Sequence, residues 1–167
     1  MGISVDTTEL KAFRERVNNL NTVQKEAFFD QACKGMAGRF LALVIPATPV
    51  GKSTKGDDGK TNHEGGTLRR GWTGGADGSG LDFAMSLSSE HSGRGYSITV
   101  TNPVEYASYV EYGHRQTPGR YVPAIGKKLV KSWVEGKFFV KTSEEALEKQ
   151  APLVLNLMLD NFIRQGF

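Results

Sequence analysis

Four consecutive residues could, by their types, bind phosphate. Val50 to Ser53 read VGKS, which invites comparison with a nucleotide-binding loop. Such a loop cradles phosphates with backbone N–H groups and a lysine, and it needs a glycine five residues before its Gly-Lys pair and a helix directly after it. Position 46 is proline, and the polar sequence STKGDDGK follows Lys52, so neither requirement is met. We therefore predict no nucleotide site here.

Residue types that ligate metals or perform catalysis are scattered along the sequence. A zinc site needs several histidine or cysteine ligands at close spacing. The chain has one cysteine, and its three histidines lack a partner at that spacing: His63, His91 and His114. No G-x-S-x-G nucleophile motif occurs, and Glu105 and Glu111 are six residues apart, on different faces of a helix. We predict no metal, no cofactor and no enzymatic activity.

Composition fits one globular domain, residues 1–167, that carries a very polar segment. The 167 residues are 38% hydrophobic and 23% charged, and half of the 20 glycines lie within residues 51–80. No secretory leader is expected, nor is an apolar run of the ~20 residues that a membrane span needs. The single cysteine, Cys33, suits a reducing compartment and is expected to be a small buried apolar residue. We expect a protein that is assembled in a cytoplasm and has no membrane partner.

Charged residues are unevenly distributed along the second half of the chain. Residues 113–141 contain seven basic side chains against the single acid Glu135, and residues 81–112 are mainly acidic. The basic residues are Arg115, Arg120, Lys127, Lys128, Lys131, Lys137 and Lys141. Such sectors can attract DNA phosphates, can pair with a neighbouring subunit, or can be two solvated faces. The sequence leaves these three readings open.

Two amphipathic helices are predicted at the start of the chain. Residues 6–20 carry apolar side chains at helical spacing, and Asp6 with Glu9 resembles an N-terminal cap. Residues 22–45 repeat apolar side chains every three or four positions, and Pro46 should end that helix. Residues 47–80 have no sustained period and are predicted as a long, flexible, glycine-rich loop with a short helical turn around Leu68 and Trp72.

Alternating apolar residues in 81–88 and 96–100 predict a β-hairpin with a long polar turn. Asn102 and Pro103 should then begin a short helix that Gly113 ends. This order of elements implies an α+β fold in which helices pack on a small antiparallel sheet.

The remaining residues are predicted to be mainly helical. HRQTPGRYVP reads as an extended basic loop, and Pro123 should open a helix with Leu129 and Trp133 on one face. Thr142 and Glu145 form a capping-box pattern for a C-terminal helix over residues 142–165. Pro152 lies inside that pattern, so a kink or a restart is expected there.

Two stretches together resemble the signatures of a bacteriophage tail-component family, the head–tail joining or tail-completion proteins of long-tailed phages. TPVGKS and GTLRRGW, at residues 48–53 and 66–72, resemble a T-P-v-d-T-G-x-L-r-x-S-W signature, here interrupted by an insertion between Val50 and Gly66. Residues 102–124 resemble the second signature, an asparagine followed by Y-A-x-Y-V-E-x-G and a proline-containing segment. The matching positions are Asn102, Tyr106, Ala107, Tyr109, Val110, Glu111, Gly113, Pro118, Pro123 and Ala124.

The resemblance implies a structural role in particle assembly. Members form a ring, commonly of six copies, between the head connector and the tail tube, and they have no known catalytic role. The partners implied are further copies of the chain, the connector or adaptor, the tail tube or terminator, and DNA in the lumen. The implied location is the tail neck of a virion that is assembled in the bacterial cytoplasm.

Aromatic and basic residues near the two signatures are the predicted contact residues. Tyrosines supply large contact area at low entropic cost, although the helix at residues 103–112 could simply pack on the hairpin. The predicted contact residues are Leu68, Arg69, Arg70, Trp72, Tyr106, Tyr109, Glu111, Tyr112, Arg115, Arg120 and Tyr121. Lys127, Lys128 and Lys131 are predicted to face a lumen or DNA. The alternative function is a DNA-binding module that uses residues 113–141.

Overall fold

The computed structural model describes residues 8–51, 54–55, 61–63, 65–76, 78–93, 95–122 and 127–165. Helices predominate in this part of the chain, and its strands form two-stranded antiparallel sheets. The α+β class predicted from the sequence is confirmed. The helices are α1 (Thr8–Asn18), α2 (Thr22–Ala47), α3 (Thr67–Arg70), α4 (Gly80–Ser86), α5 (Ala107–Tyr112) and α6 (Phe139–Gln165), with a 3-10 turn over Gly71–Thr73.

The strands pair as four antiparallel ribbons. β1 (Thr54–Lys55) pairs with β2 (Thr61–His63), and β3 (Glu90–Ser92) pairs with β4 (Gly95–Ser97). β5 (Gly113–Arg115) pairs with β8 (Trp133–Glu135), and β6 (Tyr121–Val122) pairs with β7 (Lys127–Lys128). The pairs β5–β8 and β6–β7 are consecutive parts of one longer β-ribbon.

The long helix α2 is the scaffold on which the other helices pack. Its start at Thr22 is as predicted, because the Asn21 side chain accepts from the Gln24 N–H while the Gln24 side chain accepts from the Asn21 N–H. Its end differs slightly from the prediction, since the helix includes Pro46 and ends at Ala47. Both α4 and α6 pack directly on it.

Two hydrophobic clusters lie along α2. Near its start, Phe28 and Ala32 pack with residues of α1 and with Leu159 and Phe162 of α6. Toward its end, a second cluster joins α2 to the glycine-rich region and to the first turn of α6. The buried members of this cluster are Ala37, Leu41, Val44, Leu68, Trp72, Ala84 and Phe139. The predicted helical turn around Leu68 and Trp72 therefore exists, and both side chains are buried.

The predicted strand over residues 81–88 is wrong, because the chain there forms the helix α4. The Ser79 hydroxyl accepts from the Asp82 N–H while the Asp82 carboxylate accepts from the Ser79 N–H, which is a complete capping box. Ala84 is buried against α2, where an added side chain at Gly38 would collide with Leu81. In the ribbon that does form, β3 lies in the stretch predicted as the turn. β4 includes Tyr96 and Ser97, the first two residues of the predicted second strand, and ends before Ile98.

The helix predicted to open at Pro123 is also wrong over its described part. Residues 123–126 lie outside the described residues, but Lys127–Lys128 and Trp133–Glu135 are strands. The basic loop before them pairs with them: Gln116 N–H donates to Ser132 O at 2.9 Å, and Gly119 N–H donates to Leu129 O at 2.8 Å. Together with β5–β8 and β6–β7 these bonds make one long β-ribbon. Its residues, 113–122 and 127–135, are called the arm below.

The last two helices differ from their predicted limits. α5 begins at Ala107 rather than at Pro103, while its end before Gly113 is as predicted. α6 begins three residues before the predicted cap, so Thr142 lies inside it and its hydroxyl donates to Phe138 O at 2.7 Å. The expected restart at Pro152 does not occur, since α6 continues through it to Gln165.

Candidate partner-binding surface

Thr48 is the buried centre around which the first signature folds. It is fully buried, its hydroxyl donates to Val44 O at 2.6 Å, and the same oxygen accepts the indole N–H of Trp72 at 2.8 Å. A buried polar group is costly unless it is hydrogen-bonded, and here each of these polar atoms has a partner. This pair fixes the end of α2 against the turn that carries Trp72.

Arg69 satisfies the open carbonyl end of α2. Its guanidinium donates to Thr48 O at 2.8 Å and to Pro46 O at 3.1 Å. The last carbonyls of a helix lack intrahelical donors and carry partial negative charge, so a cation is favourable at this position. Although Arg69 was predicted to contact a partner, its visible hydrogen bonds are made within the chain.

Asn102 joins the two signatures. Its amide nitrogen donates to Leu68 O at 2.7 Å, and its side-chain oxygen accepts from Val104 N–H at 3.2 Å. The neighbouring Gly71 leaves the room for this contact, because a Cβ there would collide with the Asn102 side chain and approach Val104 Cγ2 to 2.9 Å. The asparagine predicted to cap α5 therefore ties the two segments together instead.

Glu111 caps the long helix α6 from a distance. The side chain is buried, and its carboxylate accepts the N–H groups of Val140 at 2.9 Å and Lys141 at 3.1 Å. These are N–H groups of the first turn of α6, where negative charge is stabilised by the helix dipole. The second signature therefore positions α6 as well as α5.

The arm leaves the body at a close crossing of two glycines. Gly113 has φ of +82°, and a side chain there would collide with Val134 O and approach Gly136 N to 2.8 Å. A side chain at Gly136 would collide with Glu111 O. Only glycine allows both the left-handed backbone and this proximity.

Three tyrosines lie at the surface outside this buried framework. Tyr109 and Tyr112 belong to α5, and Tyr106 directly precedes the helix. Tyr106, Tyr109 and Tyr112 are 38%, 58% and 66% exposed. Tyr109 also packs against the ring of His114, with ring centroids 5.6 Å apart. Tyr106 borders a cavity of about 330 Å³ that lies between the two signature segments. The α5 helix thus buries Glu111 inward and presents aromatic side chains outward.

The arm presents the basic residues predicted from the charge distribution. Arg115, Arg120, Lys127, Lys128 and Lys131 are all exposed, and none makes an ion pair with another described residue. Tyr121 is 55% exposed on the same arm. Two exposed apolar residues, Val130 and Trp133, accompany them. Trp133 was predicted on one face of a helix, whereas Val130 had no predicted role.

The predicted contact residues divide into a buried and an exposed group. Leu68, Trp72 and Glu111 lie inside the chain, and Arg69 is half-buried against α2. The exposed group consists of Arg70, Tyr106, Tyr109, Tyr112, Arg115, Arg120, Tyr121, Lys127, Lys128 and Lys131. The buried signature residues therefore stabilise this part of the fold, and the tyrosines and the arm cations lie at its surface.

Two further cavities flank α2 on the side of β3–β4. Their volumes are about 440 and 550 Å³, and both are lined by Cys33, Met36 and Tyr96. Burial raises the pKa of the Cys33 thiol above its ordinary value, and the nearby Asp30 carboxylate adds to the effect. Among the described residues no cluster of three or more histidine, cysteine or acidic side chains could hold a metal ion. No described helix is long and apolar enough to cross a membrane.

Comparison with known proteins defines the class as a structural component of phage tails. The family model of bacteriophage HK97-gp10-like tail components matches residues 11–113, which is well over half of the chain. The chain belongs to this HK97-gp10-like family. Its role is therefore related to the phage tail, and its location is the virion. No curated protein and no solved structure matches the chain significantly.

Proposed function

We propose that this tail component is a neck protein that joins head and tail. In this proposal copies of the chain form a ring, with six as the expected number, between the head connector and the tail tube. The protein completes the tail and acts by contact rather than by catalysis. Its partners are its own copies, the connector or adaptor, and the tail tube or terminator.

One observation carries the proposal. The signature residues Trp72, Asn102 and Glu111 make their hydrogen bonds within the chain. By contrast, Tyr106, Tyr109 and Tyr112 are exposed, and the exposed cations of the arm make no ion pair with another described residue. Exposed Tyr109 and Tyr112 have the residue type that dominates protein–protein binding energy. In the proposed ring they contact a neighbouring protein, while Leu68, Trp72 and Glu111 hold the surface in place.

Deletion of the gene tests the position in the particle. Without this protein we expect full heads and separate tails that remain unjoined in electron micrographs, with joining restored when the wild-type chain is supplied. Antibody labelling of wild-type particles should mark the neck. Normal joining without the protein, or labelling at the distal tail end, would contradict the proposal.

A matched pair of variants tests the tyrosine surface. The double variant Tyr109→Ala and Tyr112→Ala should lose most of the restored joining while keeping its melting temperature, because both side chains are exposed. The control is Val23→Ala, at an apolar residue of α2 that is 74% exposed. Equal restoration by the two proteins would remove the tyrosines from the proposed interface.

A second candidate function is DNA binding, and the exposed cations of the arm favour it. Five exposed cations lie on this one ribbon, namely Arg115, Arg120, Lys127, Lys128 and Lys131. Each phosphate contact releases a counterion, so affinity for a labelled duplex should fall steeply as salt rises. Loss of that affinity on changing Lys127 and Lys128 to Gln would support this function, whereas no binding at physiological salt would reject it.

A further inference from the structure

We infer that the arm of one copy lies along the exposed face of α6 in the neighbouring copy, with its cations against the glutamates in the first half of that helix. This inference rests on the proposed ring and names the two surfaces that join its subunits. The facing groups are Lys127, Lys128 and Lys131 on the arm and Glu144, Glu145 and Glu148 on the helix.

The arm does not find its partner surface in its own chain. Successive residues of a strand point to opposite faces. On β6 and β7, Tyr121 is paired with Lys128 on one face, and Lys127 is exposed on the other. Exposure on both faces means that, among the residues which the structure describes, neither face of β6–β7 is fully covered by the body of the same copy.

The apolar residues of the arm indicate that it binds a protein rather than DNA. Val130 is 86% exposed and Trp133 is 44% exposed, although both could have been buried to advantage. Contact with duplex phosphates uses cations and polar groups and gives no role to an exposed valine. Tyrosine, tryptophan and arginine beside aliphatic residues are the composition of a protein–protein interface.

The outer face of α6 has the complementary character. Glu144, Glu145 and Glu148 are exposed in its first half and make no ion pair with another described residue, although Lys141 and Lys149 are exposed there too. Glu144 lines the cavity of about 440 Å³ beside α2, so Glu145 and Glu148 are the carboxylates nearest the outer face. Further along, Leu153 and Leu157 are 64% and 54% exposed. Glu145, Leu153 and Leu157 belong to one i, i+4 series, in which Lys149 lies between the carboxylate and the leucines.

The two surfaces agree in length as well as in charge. From Lys127 to Trp133 the arm extends at most roughly 20 Å at the usual strand rise, because residues 117–120 of the other strand form a turn. From Glu144 to Leu157 the helix extends roughly 20 Å. One arm can therefore cover the carboxylates and the leucines together, with cations near the former and Val130 or Trp133 near the latter.

An arm-on-helix contact joins two different patches of the chain, so it is a head-to-tail interface. Such interfaces generate closed rings when the rotation between neighbours closes. In each copy the arm and α6 are attached at the same point, since Lys137 N–H donates to Val110 O at 2.8 Å between β8 and the start of α6. Every subunit thus contacts one neighbour through its arm and the other neighbour through its α6 helix.

Cross-linking between copies tests the contact directly. In a Cys33→Ser background, Lys128→Cys protein is mixed with a tagged Glu148→Cys protein and treated with a short bismaleimide, both as purified protein and in particles that incorporated both chains. We expect a product that contains one chain of each kind and that either variant alone does not give. Lys11→Cys, at an exposed lysine of α1, is the matched control for the arm position.

A charge exchange provides the second readout. Lys128→Glu or Glu148→Lys alone should weaken ring formation in native mass spectra at least several-fold, and the double variant should recover it. Rings or joined particles in which Lys128→Cys cross-links no better than Lys11→Cys would overturn the inference and leave the proposed function standing. Absence of the protein from the neck would instead reject the proposed function. High-affinity duplex binding by the arm, without the cross-link, would assign the arm to DNA.

Discussion

The indole N–H of Trp72 donates to the hydroxyl of Thr48 across 2.8 Å in the buried region of the fold. Thr48→Val keeps the shape of the side chain but removes the acceptor, which leaves a buried N–H unpaired. We expect the free energy of unfolding to fall by about 1–3 kcal/mol, as measured by urea denaturation.

An exposed threonine provides the control for this change. Thr101→Val, at a solvent-facing position, should alter the free energy of unfolding by less than about 0.5 kcal/mol. If Thr48→Val behaves like Thr101→Val, the Thr48–Trp72 hydrogen bond does not stabilise the junction of α2 with the first signature.

Removing the charge of Glu111 should destabilise the start of α6. Glu111→Gln keeps an acceptor oxygen but loses the carboxylate that receives Val140 and Lys141 N–H. Hydrogen bonds to charged groups contribute about 1.5–3 kcal/mol, and a loss in that range is expected. Hydrogen exchange should show faster exchange of the Val140 and Lys141 amides, while Glu105→Gln, at an exposed carboxylate nearby, should leave them unchanged.

Alanine substitutions at two glycines of the arm compare a site with backbone strain alone and a site where the added Cβ would also collide with neighbouring atoms. Gly113 and Gly119 have φ of +82° and +83°, but a Cβ at Gly119 would have no atom within 4 Å. Gly119→Ala should therefore lose about 1–2 kcal/mol from left-handed strain alone. Gly113→Ala should lose more, because its ψ of 172° places it in a backbone region that is essentially restricted to glycine. Overpacking against Val134 and Gly136 should add about 1–3 kcal/mol. Equal thermal unfolding of the two variants would contradict the close crossing with Gly136.

Stability should fall in acid partly through the cap of α4. Hydrogen bonds from the Ser79 hydroxyl and N–H hold the pKa of Asp82 below its ordinary value of 3.8. Because the folded pKa is the lower one, this contribution is present above the unfolded pKa and is lost as pH falls through the folded value. Asp30 acts in the same direction, since Ser89 and Lys34 lower its pKa.

The measurement for this pH dependence is the free energy of unfolding as a function of pH. Asp82→Asn should be less stable than wild type at neutral pH and should lose less on acidification. Glu15→Gln is the control at an exposed carboxylate of α1. Parallel pH profiles for wild type and Asp82→Asn would exclude the cap as a source of the acid sensitivity.

Helices that owe their form to local signals could be predicted from the sequence. The apolar spacing of α1 and α2 and the glycine after α5 identified these elements within a few residues. The error at α4 came from the alternation of Leu81, Phe83 and Met85, which imitates a strand. The Ser79–Asp82 capping box was the signal that would have corrected it, and Leu81 and Met85 are exposed on the helix.

Elements that depend on distant partners could not be predicted in the same way. Leu129 and Trp133 are four residues apart, which favours a helix locally, but backbone pairing with residues 113–122 makes the segment a ribbon. The cap of α6 comes from Glu111 rather than from the local Thr142–Glu145 pattern. The same limit applies to the signature residues, whose types indicated contact but not whether that contact lies inside the chain.

The common attachment of the arm and α6 has a mechanical consequence. A pull on the outer end of the arm places both of its strands under tension side by side, so it does not peel their hydrogen-bond ladder apart from one end. The load arrives at the Gly113–Gly136 crossing and passes into the first turn of α6, which the Glu111 carboxylate holds. In the proposed ring, this anchor would therefore carry the same load as the ribbon and transmit it to α6.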